Sequence, residues 1–270
     1  MTVSRHARRH PEVWRRFTPR QTLVRYAWQL GVIAVAAASL YQLDITWVYL
    51  LDAHIQAADL LTRMYPPDWS YAEMVVDSLL ETIHIATLGT IATIIVAFPV
   101  AFLAARNTTF NHLTWAIGRF ILVASRSVNT VVWALVFVAI FGPGPVAGVW
   151  AIAARSIGFM GKLTAEAIEE IDEGPVEAIE ATGASRLQVL WIGILPQVLP
   201  VIYGTVIYRW DINIRESTVL GFVGAGGIGI LLYASINLFA WREVSVILMS
   251  IFAVVVVSEF VSAVVRQRIT

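Results

Sequence analysis

Residues 82–105 read TIHIATLGTIATIIVAFPVAFLAA, 24 positions with a single histidine and no acid, lysine or arginine. A helix that crosses a bilayer needs about 20 mostly apolar residues, so this run is a membrane span. Working outward from it, further apolar runs cover Tyr26–Leu43, Ser127–Phe141 (extending back toward Trp115), Val146–Gly161 and Val244–Val265. Another begins at Pro196, stays apolar through Tyr208 and then turns charged. An all-α integral membrane protein with about six crossings is expected. The composition agrees: 58% of the 270 residues are hydrophobic and 14% charged, against about 25% charged in soluble domains. Nineteen basic residues balance nineteen acidic ones, which argues against a nucleic-acid partner. The absence of cysteine excludes disulfides, thiolate metal sites and cysteine nucleophiles.

Basic residues near short loops mark the cytoplasmic side. Arg5, Arg8, Arg9, Arg15, Arg16, Arg20 and Arg25 precede the first span, with Glu12 the one acid among them. Asp44, Asp52, Asp59, Asp68, Glu73 and Asp77 follow it, with Arg63 the one cation. Arg106, Lys162, Arg266 and Arg268 then fall on the same side as the amino terminus if the chain crosses six times. Both termini are therefore expected in the cytoplasm. The first apolar run lacks a small-residue cleavage pattern and reads as an uncleaved span. The organisation expected is a basic tail (1–25), a first span with an outer segment lying at the membrane interface (26–77), a core (78–265) and a short cytoplasmic end (266–270). Pro66-Pro67 and Gly142-Pro143-Gly144-Pro145 are turns, because proline fixes φ and glycine supplies the tight bend.

The longest inner loop, 163–196, opens with Glu166, Glu169, Glu170, Asp172, Glu173, Glu177 and Glu180. Inside it, Pro175 suits a first helical position, Glu177 complements the helix dipole and Gly183 supplies a left-handed stop. A helix over Pro175–Thr182 is too short to be stable alone and needs a surface to pack on. Its sequence, Glu177-Ala178-Ile179-Glu180, then Thr182-Gly183-Ala184 and, thirteen positions after Gly183, Pro196, resembles the "EAA" signature of ABC-importer permeases. Ile179 stands where that signature has its second alanine, and Gly193 where isoleucine is usual. The resemblance extends over roughly Ser78 to Thr270 and is closest to the phosphonate-transporter permeases. It is carried by Arg126-Ser127, Trp133-Ala134-Leu135, Gly161-Lys162, Tyr208-Arg209-Trp210, Asn213-Ile214-Arg215 and 219–229 (VLGFVGAGGIG). Asp211 occupies a place where glutamate is common.

The resemblance implies a type I importer permease, working as a dimer with a second, identical chain. It implies that Glu177, Ala178, Ile179, Glu180, Thr182, Gly183 and Ala184 form the coupling helix that docks on a cytoplasmic ABC ATPase dimer. It also implies an extracytoplasmic phosphonate-binding protein, with phosphate or phosphite as further substrates. ATP and magnesium belong to the ATPase, and this chain itself calls for no cofactor and no metal.

Arg209, Asp211, Asn213, Arg215 and Glu216 lie in a segment expected to cross the bilayer. Ionisable residues there are costly and face a bundle interior or an aqueous path. Asp211 and Arg215 are four apart and can pair, and Arg209, Asn213 and Glu216 share a second face at spacings of four and three. One reading is a network that locks helices together. The other is a path whose arginines meet a passing oxyanion with their planar donor fork. Arg126 and Asn129 are weaker candidates for the same path. The run Gly224-Ala225-Gly226-Gly227-Ile228-Gly229 satisfies the dinucleotide fingerprint in letters but lacks the strand, helix and distant acid around it. Gly221, Gly224, Gly226, Gly227 and Gly229 instead suit close helix packing, at a gate or dimer contact. Glu81 and His84 in the second span suit a helix-packing hydrogen bond better than a proton relay.

Gly158-Phe159-Met160-Gly161-Lys162-Leu163 is not a nucleotide-binding loop, since it lacks the spacing and the Ser/Thr needed for magnesium. No catalytic constellation emerges, so an embedded enzyme is disfavoured. An ion-gradient-driven carrier of a small anion is the remaining alternative, and it would have no use for a coupling helix.

Overall fold

Four threonines explain how the central helix tolerates polar residues in an apolar setting. Thr82, Thr87, Thr90 and Thr93 each donate to the carbonyl four residues back, at 2.7–2.8 Å, so no hydroxyl is left unpaired. That helix, α3 (Ala72–Ala104), is the central helix of the unit formed by residues 60–270. The computed structural model describes residues 19–43 and 46–269. The basic cluster through Arg16, with Glu12, and Asp44 lie outside the described residues. Before α3 come α1 (Pro19–Gln42), α2 (Trp47–Met64) and a 3-10 turn at Trp69–Tyr71. After it come α4 (His112–Ser127), α5 (Thr130–Phe141), α6 (Pro145–Glu169) and α7 (Glu173–Ala181). One turn α8 (Arg186–Gln188) runs into a π-helical stretch (Val189–Ile194), then α9 (Leu195–Leu220), a 3-10 turn at Gly221–Val223, α10 (Ile228–Asn237) and α11 (Trp241–Ile269).

The chain separates into two compact units at Asp59/Leu60. In the second unit α6 packs on α3, α4, α5 and α9, while α11 packs on α9, α10 and α3. Three apolar clusters follow one another along α3. Val75 meets Ile228, Leu232, Val244, Val246 and Ile247 at its start. Ile85 meets Ala134, Ala151, Ile152 and Leu220 further on. Val100, Ala101 and Ala104 meet Leu122, Ile168, Ile194 and Val198 at its end. At 1.5 Å per residue, α3 is about 50 Å long, so its middle third falls within a hydrocarbon layer of about 30 Å.

Close helix approach has a residue-level cause. A Cβ on Gly158 would stand 2.4 Å from the Leu122 carbonyl oxygen, and one on Gly118 would stand 2.9 Å from the Ala104 nitrogen. Side chains larger than hydrogen would therefore separate α6 from α4, and α4 from α3.

Several boundaries differ from expectation. Among the described residues five helices are long and apolar enough to cross a membrane, or six if α4 and α5 count as one broken span. The span expected at Ser127–Phe141 is not one helix: α4 and α5 meet at 96°. Asn129 is extended between them and caps α5, accepting from the Val131 N–H at 3.0 Å. The twelve residues of α5 span about 18 Å, too short to cross alone. The fourth span continues past Gly161 to Glu169, so the acidic start of the expected loop is helix. The short helix begins at Glu173, two residues before Pro175, because Asp172 supplies the cap and accepts from the Gly174 N–H at 3.0 Å. Before α3, Asp68 accepts from the hydroxyl and N–H of Ser70, which hold its carboxyl below the usual carboxylate range.

Candidate functional site

Between the second and third clusters along α3 lies a belt of polar groups, most of them buried, drawn from the interior of α3, α6, α9 and α11 and from the start of α5. Arg209 on α9 donates through Nε to Ser156 Oγ on α6 (2.9 Å), which donates to Asn213 Oδ1 (3.0 Å). Asn213 Nδ2 donates to Thr90 Oγ1 (2.9 Å), and Thr90 donates to the Ala86 carbonyl (2.7 Å). Each donor in this chain finds an acceptor, as a low-dielectric interior requires. Arg209 Nη2 also reaches Glu216 Oε1 at 3.2 Å, and its guanidinium lies 5.4 Å from the Phe159 ring centroid. Thr130, the first residue of α5, donates to Glu216 Oε2 at 2.5 Å. Arg155 on α6 brings Nε within 3.4 Å of Glu216 Oε1 and donates to the Val128 carbonyl at 3.3 Å. On the other face of α9, Arg215 pairs with Asp211, which accepts from Ser258 of α11 at 2.8 Å.

The Asp211–Arg215 pairing expected on α9 is present, Arg209 reaches Glu216 on the second face, and five polar residues of other helices, Thr90, Thr130, Arg155, Ser156 and Ser258, join them. Arg155, Ser156 and Thr130 were not among the expected residues. An arginine within the span Val146–Gly161 was the available signal for Arg155, whereas nothing in the spacing marks Ser156 or Thr130. The belt holds three guanidinium groups and two carboxyl groups. They differ in access: the Arg209 side chain is 5% exposed, that of Arg155 32% and that of Arg215 43%. Arg209 is thus enclosed by its own chain, while Arg155 and Arg215 present part of their donor forks outward. Arg126 and Asn129 are exposed and make no hydrogen bond into the belt; Arg126 lies in the last turn of α4 and Asn129 caps α5.

The glycine run lies where α9 breaks before α10. A Cβ on Gly229 would stand 2.3 Å from the Thr218 carbonyl, and one on Gly221 would stand 2.3 Å from the Ile230 nitrogen. Gly226 and Gly227 have φ of +86° and +75°, a region costly for other residues. Thr82 Oγ1 accepts from the Ile228 N–H at 2.8 Å and so satisfies a leading donor of α10. Gly224 contributes differently: its carbonyl accepts from the Gly144 N–H at 2.9 Å, tying the break to the turn before α6. All five glycines therefore serve packing or backbone geometry within one chain. Of the pair on α3, His84 is exposed and Glu81 lies beside Gly226.

At the far end of the bundle stands α7, with Glu177, Ala178, Ile179 and Glu180 in the helix, Thr182 at its C-cap and Gly183 in the left-handed region at φ +83°. No residue of α7 is buried. It rests chiefly on the π-helical stretch, where a Cβ on Gly193 would come within 3.2 Å of Ile179 and 3.5 Å of Val176. The departure from isoleucine at this position therefore brings the two segments closer together. Gln197, in the first turn of α9, fastens the corner. Its Oε1 accepts from the Asp172 N–H (3.0 Å), and its Nε2 donates to the carbonyls of Asp172 (3.2 Å) and Gly193 (2.8 Å). The helix that begins at Asp172 is thus bound to the helix that carries the belt. A cavity of about 410 Å³ lies alongside, lined by Glu166, Glu170, Asp172, Gln197 and Thr205 among others.

Residues 97–270 match the family of binding-protein-dependent transport system inner membrane components. The chain belongs to this family. It is 40% identical over 238 residues to the phosphite transport system permease protein PtxC of Stutzerimonas stutzeri, covering 88% of this chain and 86% of that one. It is 38% identical over 226 residues to the phosphate-import permease protein PhnE of Mycolicibacterium smegmatis, covering 83% of this chain and 41% of that longer one. Among solved structures it resembles the MetNI methionine ABC transporter in inward-facing conformations, with a TM-score of 0.65 and 21% identity over 75% of this chain and 99% of that chain. The fold is that of a type I ABC-importer permease, and the chain is a multi-pass membrane permease subunit rather than a gradient-driven carrier. Members of this family work with an ATPase and a binding protein.

Proposed function

We propose that this permease imports tetrahedral phosphorus oxyanions, the class that spans phosphonate, phosphate and phosphite. The observation that carries this reading is the match, over most of the chain, to permeases named for phosphite and phosphate. The belt supports it chemically, because its guanidinium groups outnumber its carboxyl groups and two of them are partly exposed. Arg155 and Arg215 would meet the anion, while Arg209, Asn213 and Ser156 hold the helices that carry them.

The working unit is a homodimer with two copies of a cytoplasmic ATPase and one extracytoplasmic binding protein. Both termini and α7 face the cytoplasm, in the inner membrane of a prokaryote. ATP, held with magnesium on the ATPase, supplies the free energy by being hydrolysed there. In this chain, α7 docks on the ATPase through Glu177–Ala184 and moves as a rigid piece. Gln197 passes its displacement to α9, and the belt changes the side of the membrane to which it opens.

The test is gentle purification of the tagged chain from its native membrane, with mass spectrometry of what accompanies it. Uptake of labelled phosphite, phosphate and methylphosphonate by the reconstituted complex follows. We expect one ATPase copy per permease chain, and uptake that survives collapse of proton and sodium gradients but stops without ATP. A chain that stays alone after crosslinking in intact cells, with uptake lost on gradient collapse, would overturn the proposal.

A further inference from the structure

Where α3 ends and α4 begins, cationic side chains gather on one indole ring. The guanidinium carbon of Arg106 lies 5.6 Å from the Trp115 ring centroid, that of Arg119 lies 5.8 Å from it, and the His112 ring is 5.9 Å away. The two arginines differ in what else they hold. Arg119 pairs with Glu169 at 2.7 Å and donates through Nε to the Ala104 carbonyl at 3.0 Å, closing the end of α3. Arg106 engages Glu169 only through its backbone N–H, at 2.9 Å, and its exposed guanidinium has no carboxylate partner among the described residues. Glu169 is therefore committed to Arg119, and the charge of Arg106 is uncompensated. A cavity of about 360 Å³ opens here, lined by Arg106, Thr109, His112 and Trp115 and by no acid. The Trp115 Nε1, shielded from solvent, finds no acceptor among the described residues.

The surface beside this cavity is apolar. Leu113, Ile117 and Phe120 are 48–73% exposed along one face of α4, and Phe110 is 70% exposed just before it. Large apolar residues exposed on one face of a helix, with cations and a tryptophan at its end, fit the boundary between acyl chains and headgroups. Asn111 fixes that end, since it accepts from the Thr114 N–H at 2.8 Å and donates its own N–H to Thr114 Oγ1 at 3.1 Å.

We infer that Arg106, His112 and Trp115 form a headgroup site for an anionic phospholipid. The phosphate sits between the Arg106 guanidinium and His112, and the acyl chains lie along Leu113, Ile117 and Phe120. The cavity belongs to the end of the bundle where α3 finishes, the end that also carries Ile194 and Val198 beneath α7. An occupied site would brace the α3–α4 corner beside the segment that α7 rests on. The inference rests on the proposed function only for assigning this end to the cytoplasmic leaflet. Binding in detergent solution tests the site without that assignment, so the two readings fail separately.

The experiment is native mass spectrometry of the full-length permease purified in a mild detergent, with palmitoyl-oleoyl phosphatidylglycerol or phosphatidylcholine added at equal concentration. The wild-type chain should retain phosphatidylglycerol in preference, and Arg106→Gln should lower that retention roughly fivefold, the effect of one interfacial cation. Arg106→Lys should keep most of it, and His112→Gln should reduce it by less. Arg186→Gln, an exposed arginine elsewhere on the same half of the chain, should change nothing. Equal retention of the two lipids by the wild type, or full retention by both Arg106→Gln and His112→Gln, would overturn the site. Displacement of phosphatidylglycerol by millimolar inorganic phosphate would assign the cavity to a soluble anion and overturn the lipid reading.

Discussion

The belt and α7 are opposite solutions to placing charge in a membrane permease. Arg209, Asn213 and Glu216 are enclosed by one chain, and each of their polar atoms named above has a partner on α3, α5, α6 or α9. The acids Glu173, Glu177 and Glu180 of α7 stand on a helix with no buried residue, held by Ile179 and Val176 on one side and by Gln197 at the corner. A buried network stabilises only while complete, since removing one member strands the others. An exposed helix on a small apolar footing contributes little to the fold and is free to be held by something else. The belt should therefore answer mutation by failing to fold, and α7 by folding normally and failing to transport.

The largest expected effect is at Glu216. Its two oxygens are shared by Arg209, Arg155 and Thr130, so Glu216→Ala leaves two guanidinium groups without their carboxylate in mid-bundle. Breaking a buried pair from one side costs about 3–5 kcal/mol, a large part of a typical domain's 5–15 kcal/mol. The folded fraction after size-exclusion chromatography should collapse, with Glu216→Gln intermediate. A well-folded Glu216→Ala chain that has merely lost uptake would move Glu216 from helix-locking to the path, and so break the contrast.

Next in size is Gly183, where a positive φ and open space around the α-carbon coincide. Gly183→Val strains the helix stop by about 1–2 kcal/mol without an intrachain clash. Membrane insertion and thermal stability should stay near wild type while uptake is lost. Asparagine accepts the left-handed region, so Gly183→Asn separates the two causes: restored uptake means backbone geometry matters, and lost uptake means bulk at the docked face matters. Unchanged uptake in Gly183→Val would sink the coupling assignment.

Gln197→Leu comes third. It keeps the side-chain volume and removes two hydrogen bonds between the α7 corner and α9, with a third to Gly193 of the π-helical stretch. In proteoliposomes containing the ATPase, hydrolysis should continue while solute moved per ATP falls at least about fivefold, the lower end of ordinary coupling energies. An unchanged ratio would leave α7 joined to the belt only by the contacts of Val176 and Ile179.

How much of this was legible in the chain follows from the range of each interaction. The apolar runs other than Ser127–Phe141 and the i,i+4 pair Asp211–Arg215 are local, and both emerge where the pattern places them. So does the left-handed stop at Gly183. The break between α4 and α5 was hidden because its residues, Ser127 to Thr130, are ordinary in composition; the turn comes from Asn129 capping α5, which a hydrophobicity window cannot see. The start of α7 was misplaced because Pro175 is a permitted first residue, while the Asp172 cap two residues earlier in the helix frame is an equally good signal. Ser156 and Thr130 were out of reach, since each meets its partner across more than fifty residues of chain. The Gln197 link spans 25 residues and leaves no periodic trace.

The smallest effect sharpens the contrast most finely, because it compares two threonines one turn apart on the same helix. Thr90 and Thr93 are both buried, and both donate at 2.7 Å to the carbonyl four residues before them. Thr90 alone also accepts, from Asn213 Nδ2. Valine is nearly the same shape, so each substitution frees one helix carbonyl that is already bonded in the backbone ladder. In Thr90→Val the amide of Asn213 additionally loses its acceptor inside the bundle, which costs about 1 kcal/mol by the usual scale for a stranded donor, and somewhat less by measurements within membranes. Thr93→Val should lie within about 0.5 kcal/mol of wild type. Thermal unfolding of the two variants in the same detergent reads the difference directly. Equal midpoints would mean that Asn213 finds another acceptor and that the belt is looser than its hydrogen bonds imply.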